Sequence, residues 1–100
     1  GQGMGSSLVI ADELQAYTLC DRGTYLRYRE KIELVPLISQ APGLRNPYGA
    51  IVVSPKTHEA VNANLAQLLL DYLVDDTTQL AIAEYRLASE QLFQPAHLLE

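Results

Sequence analysis

Residues 17–31 read YTLCDRGTYLRYREK. The first four, short, aromatic and β-prone, predict a buried strand. Asp21 stands where a helix N-cap belongs, its carboxylate placed to accept N–H bonds from the first turn of a helix over residues 22–31. A strand running into a capped helix is the basic step of an α/β fold, and the sequence on either side repeats it.

Before this stretch, Met4, Leu8 and Ala11 recur at helical spacing through Ala16, with Ile10 and Leu14 one face over. After it, ELVPLIS (33–39) reads as a strand in which Pro36 cannot donate to a ladder, so it must lie at an edge or break there. QAPGLRNPYG (40–49) is dense in Pro, Gly and Asn and predicts a long connection. AIVVSP (50–55) is a continuous apolar run closed by Pro55, the pattern of a buried strand.

Leu65, Leu68, Leu69, Tyr72 and Leu73 carry the strongest helical period, with Asn62 or Asn64 as its cap. DDTTQLAIAEYRLA (75–88) restarts a helix, with Asp76 and Gln79 at N-cap and N3 spacing. The tail EQLFQPAH (90–97) predicts a docking strand or extended segment. The order is helix, strand, helix, strand, crossover, strand, helix, helix, tail, which implies an α/β protein with mostly parallel strands and flanking helices. The 40–49 crossover is the candidate boundary between two lobes.

One hundred residues allow one small domain or a piece of a larger one, and 48% hydrophobic with 19% charged residues argues against disorder. Seven basic against twelve acidic residues, a net charge of -5, argue against a nucleic-acid binder, which needs clustered cations to displace counterions. Cys20 is the single cysteine, so neither an intrachain disulfide nor a zinc framework can form. No apolar run is long enough to span a membrane. The chain starts with Gly, which suggests an excised fragment whose signal peptide and true start lie upstream, and Leu99–Glu100 are candidates for cloning residues.

The chemistry concentrates in GQGMGSS (1–7). A helix N-terminus presents unpaired N–H groups and roughly half a positive charge to an anion. Gly3 and Gly5 would let those groups converge, and Ser6 and Ser7 add hydroxyls. No Lys follows the glycines, which rules out the GxxxxGK[ST] loop, and no strand precedes them within these residues, so the dinucleotide fingerprint is not claimed. Two readings stay open: a site for a small oxyanion, or a glycine-rich turn that only caps a helix.

Thr18 and Cys20, at the carboxyl end of the 17–20 strand, could face the same cleft, because ligands gather at strand ends in parallel sheets. Arg22 reads as an anion ligand or as a solvated partner of Asp21. Tyr17, Tyr25 and Tyr28 read as core-edge or recognition residues. His58 and His97 have no metal-ligand spacing and read as surface residues. Cys20 lacks a His partner and reads as a small buried side chain. Asp75 and Asp76 read as caps, and the Leu65–Leu73 stripe as core or lobe-packing surface. No nucleophile, base and oxyanion hole come together, so the chain is not read as an enzyme.

The motifs GMG (3–5), AYTL-DRGTYL (16–26) and NPYG (46–49), with the helix-rich segment ending in QLFQPA, resemble the carboxy-terminal part of tungstate-binding proteins. These are extracytoplasmic solute-binding components of ABC uptake systems with a type 2 periplasmic-binding-protein fold. The resemblance covers nearly all of the chain. It implies two lobes closing on tungstate or molybdate, with residues 1–45 part of the second lobe, 46–55 the returning hinge strand, and 56–100 the helical end of the first lobe.

By position, Met4, Gly5 and Ser6 would supply N–H donors and Thr18 another. It further implies no cofactor beyond the oxyanion ligand, a membrane permease as partner, a periplasmic or extracytoplasmic location at the membrane through the transporter, and no nucleic acid. A fragment with uncovered strand edges leaves room for a homodimer.

The sequence departs from the family at Cys20, where Thr is usual, at Pro36, at SQAPGL (39–44) and at DDTTQ (75–79). A dianion held by fixed dipoles needs no basic protein, so the net charge of -5 is no objection. Two other function classes remain: the ligand-sensing domain of a cytoplasmic regulator with the same fold, which a helix-turn-helix upstream would reveal, and a phosphate-handling enzyme, which predicts a basic or acid/base residue beside the glycines.

Overall fold

The computed structural model describes residues 3–97; Gly1 and Gln2 of the glycine loop, and Leu99 and Glu100, lie outside the described residues. The described residues form a small mixed α/β structure of four α-helices, one 3-10 turn and a two-stranded sheet. The chain divides into two compact units, Gly1–Arg45 with Arg86–Leu92, and Asn46–Tyr85 with Phe93–Glu100.

In the first unit, α1 (Met4–Glu13) and α2 (Arg22–Tyr28) are packed against one another. Leu8 and Ala11, three residues apart on α1, and Leu26 of α2 are the buried apolar side chains, at 3%, 6% and 6% exposure. Helical period explains that pair, since positions three apart share a face. Asp21 caps α2 as its position predicts: Oδ2 accepts from the Thr24 amide at 2.9 Å and Oδ1 from the Thr24 hydroxyl at 2.7 Å.

The first helix ends at Glu13, three residues before Ala16, because Gln15 takes a left-handed φ of 51°. The Ala16 amide then donates to Ala11 at 2.8 Å and the Gln15 amide to Asp12 at 3.1 Å. That is a Schellman end built on glutamine instead of glycine.

The segments expected as parallel strands, 17–20, 33–39 and 50–55, form no ladder among the described residues. The one sheet is antiparallel, β1 (Arg86–Leu87) with β2 (Glu90–Gln91), in the register Leu87 opposite Glu90. A strand exists only by pairing, and apolar runs reveal nothing about whether a neighbour lies alongside. The 33–34 stretch is instead held by Asp12, whose Oδ1 accepts from the Glu33 and Leu34 amides at 2.8 and 3.0 Å. Pro42–Leu44 forms the 3-10 turn inside the expected connection.

In the second unit, α3 (Ala63–Val74) starts at Asn62, whose Oδ1 accepts from the Leu65 amide at 3.1 Å. The next helix, α4 (Asp76–Glu84), is capped by Asp75, not Asp76: Asp75 Oδ2 accepts from the Thr77 amide at 3.0 Å. Gln79 therefore leaves the capping-box role. It is buried, and its amide donates to the Leu73 carbonyl at 2.6 Å and accepts from the His97 amide at 3.2 Å. The helix stops at Glu84 instead of continuing to residue 88, and residues 86–91, which belong to the first unit, form the hairpin. Phe93 meets Tyr48 edge-on with ring centres 6.1 Å apart, and Tyr85 at 6.2 Å.

Candidate functional site

The start of α1 differs chemically from the other α-helix starts. Asp21, Asn62 and Asp75 each turn a side-chain oxygen onto their own helix, whereas Gly3, the N-cap of α1, has no side chain to offer. The first turn of α1 also holds no acidic residue. Among the described residues, no acceptor meets the amides of Met4, Gly5 or Ser6; the first intrahelical bond runs from the Ser7 amide to Gly3 at 3.0 Å. Those amides carry the positive end of the helix dipole outward, which is the arrangement an anion needs. Ser6 is exposed. The Ser7 hydroxyl donates back to the Gly3 carbonyl at 3.2 Å, so it is engaged within its own turn and leaves the first amides uncapped.

Gly5 meets a steric requirement that residue spacing does not reveal. A Cβ there would lie 2.6 Å from the Tyr28 hydroxyl and 2.8 Å from Cζ of its ring. Contacts this short do not occur, so the missing side chain is what admits the tyrosine against the first turn of α1. Tyr28 is thereby placed beside the candidate donors, a half-buried aromatic with a polar tip.

Thr18 is exposed in the stretch after α1, and no hydrogen bond joins it to Met4, Gly5 or Ser6 among the described residues. Beside it, Cys20 is half-buried with Sγ on the Asp21 carbonyl at 3.2 Å. Burial first, and the neighbouring Asp21 charge second, push its thiol pKa up. A raised thiol pKa keeps the sulfur protonated, which suits a packed side chain and opposes a nucleophile. Asp21 moves the other way: the Thr24 hydroxyl above all holds its carboxyl below the usual range.

Arg22 pairs not with Asp21 but with Glu90, which also accepts from Arg29 at 3.1 Å. Its guanidinium is therefore committed within the protein. His58 and His97 are exposed, and among the described residues no three His, Cys, Asp or Glu side chains gather as for a metal. In the second unit, an open apolar hollow of about 300 Å³ is lined by Thr78, Ala81, Ile82, Tyr85 and Phe93. It offers no charged donor to an oxyanion. None of the described helices is long and apolar enough to cross a membrane.

Comparison with curated proteins bears out the resemblance carried by the motifs. A tungstate-binding protein, TupA, of Peptoclostridium acidaminophilum is 40% identical over 85 residues, covering 85% of this chain and 30% of that protein. The tungstate-binding protein TupA of Campylobacter jejuni is 35% identical over 97 residues, covering 93% of this chain and 36% of that protein. A Haloferax volcanii protein named as a candidate ABC transporter anion-binding protein is 41% identical over 105 residues, covering all of this chain and 31% of that protein. The chain thus spans about a third of the length of the curated relatives it matches. No family model and no solved structure matches it.

Proposed function

We propose that this chain is part of the substrate-binding component of an ABC uptake system that captures tungstate or molybdate, and that it is not an enzyme. The observation that carries the reading is 35–41% identity over 85–100% of the chain to proteins named for tungstate or anion binding. The uncapped, acid-free start of α1 supplies a physical counterpart, since its amides can point dipoles at a dianion without adding a counter-charge.

In this reading the whole protein has a type 2 binding-protein fold with two lobes. Residues 1–45 contribute to the second lobe, 46–55 form the returning hinge strand and 56–100 complete the first. Met4, Gly5 and Ser6 donate amides to the oxyanion, and Thr18 adds a donor from the neighbouring stretch. The runs 17–20, 33–39 and 50–55 pair with strands from the rest of the protein, which also provides further ligands. The partner is the transporter's membrane permease, and the location is extracytoplasmic. Cavity size sets the preference over the smaller sulfate, and donor-only recognition adds to it against phosphate, whose proton a site without an acceptor cannot satisfy.

Calorimetric titration of the full-length parent with tungstate, molybdate and sulfate, beside this chain, tests the proposal. The parent is expected to bind tungstate or molybdate far more tightly than sulfate, with most of that affinity lost in the chain alone. Equal affinity for the three ions would overturn the tungstate assignment, and a parent indifferent to all of them would overturn the class.

A further inference from the structure

The hairpin 86–91 is short and conformationally disfavoured. Its strands are two residues each, paired in the register Arg86 with Gln91 and Leu87 with Glu90. The two residues between them, Ala88 and Ser89, have φ of 50° and 65°. Positive φ at both central positions is the signature of a type I′ turn, which favours Asn-Gly because those residues accept the left-handed conformation. Ala and Ser resist it, since their Cβ crowds the backbone. A two-stranded hairpin is marginal in water even with a favourable turn. Something outside the hairpin must therefore hold it closed.

The adjoining ion cluster answers that need. Glu90 sits on β2, opposite Leu87. One of its carboxylate oxygens accepts from Arg22 Nη2 and the other from Arg29 Nη1 at 3.1 Å. Arg22 begins α2 and Arg29 follows its last residue, seven positions on, so the carboxylate grips both ends of one short helix. Both guanidiniums and the carboxylate are partly exposed, at 51%, 35% and 37%. Ion pairs at that exposure respond to salt.

We propose that Glu90 is a latch: clamped between Arg22 and Arg29 of α2, its carboxylate keeps closed a hairpin whose own turn residues oppose closure. The competing account gives the work to apolar anchoring, because Leu87 and Leu92 are half-buried and Leu92 lies over Gly23, 3.6 Å from where a Cβ would stand. The two accounts separate by charge. A latch weakens with ionic strength and with loss of the carboxylate, whereas leucine packing responds to neither in that direction.

The test is residue-resolved amide hydrogen exchange of this chain at low salt and at 0.5 M NaCl. Three sequences are compared: the parent, Glu90→Gln, and Glu90→Gln combined with Ala88→Asn and Ser89→Gly. Exchange over residues 86–91 should accelerate at least fivefold in Glu90→Gln, and likewise in the parent at high salt. The Asn-Gly turn should return it toward the parental rate without restoring any charge. Amides of α1 serve as the internal reference for an intact first unit. Should Glu90→Gln unfold that unit as a whole, the salt series on the unmodified chain decides by itself. Hairpin exchange within twofold of the parent in both Glu90→Gln and high salt would overturn the latch, as would an Asn-Gly turn that restores nothing.

Discussion

At Gly5 two effects of opposite sign meet. Replacing a helical glycine by alanine ordinarily stabilises a helix by about 1 kcal/mol. Here the added methyl would lie 2.6 Å from the Tyr28 hydroxyl, and over-packing of that kind costs about 1–3 kcal/mol. The clash outweighs the propensity because Cζ and Cε2 of the same ring also stand within 3.0 Å, so rotating the hydroxyl alone does not relieve it. Gly5→Ala is expected to lose about 1 kcal/mol in urea unfolding, and to become neutral or stabilising once Tyr28→Leu removes the ring. Gln15 argues the converse. Its φ of 51° places a side chain where glycine is at home, so Gln15→Gly should raise stability by about 0.5–1 kcal/mol in the same assay. The sequence makes Gly5 conspicuous and leaves an oxyanion loop or a capping turn open; that it admits Tyr28 is a contact between residues 23 positions apart, which no local pattern encodes.

At the level of elements, what was legible follows from how local each feature is. Helix starts are written in a few adjacent residues, so the sequence marks Asp21 as a cap and narrows the other to Asn62 or Asn64, of which the structure uses Asn62, and the apolar period locates the helices that follow. Asp75 displaced Asp76 by one position because either carboxylate satisfies the same spacing to within a residue, and only the backbone decides. The hairpin was illegible for the opposite reason: Ala88-Ser89 carries no turn signal, and the charge that accompanies it comes from Arg22 and Arg29, more than sixty residues earlier. The strands expected over 17–20, 33–39 and 50–55 rest on composition, which records a tendency to be covered but not the covering partner.

The caps yield a prediction. Asp21→Ala should cost about 1 kcal/mol by removing the acceptor of the Thr24 amide, and Asp21→Asn less. The pH dependence has a definite sign, since hydrogen bonds from Thr24 hold the folded-state carboxyl below its unfolded value. Its stabilisation is complete above the unfolded value, near 4, and disappears as pH falls through the lower folded value. The parent chain is therefore expected to lose more stability than Asp21→Asn between pH 5 and pH 2, as followed by helical ellipticity in urea. Equal losses would mean that the cap is indifferent to its charge.

Across the whole molecule, the shortage of covered apolar surface governs behaviour. Tyr17 and Ile51 are 91% and 90% exposed, and the Leu65, Leu68, Leu69 and Tyr72 stripe of α3 is uncovered. These side chains stay in water, so folding hides less apolar area than in a domain of equal length whose apolar faces are covered. The urea dependence of unfolding scales with the area newly exposed, so the m-value of this chain should fall below that of a two-state domain of equal length. An m-value at the full compact level, independent of protein concentration, would contradict the exposed stripe of α3 and the uncovered runs 17–20 and 50–55. One that climbs toward that level only as concentration rises would show copies of the chain covering one another, because association then hides what the single chain leaves in water.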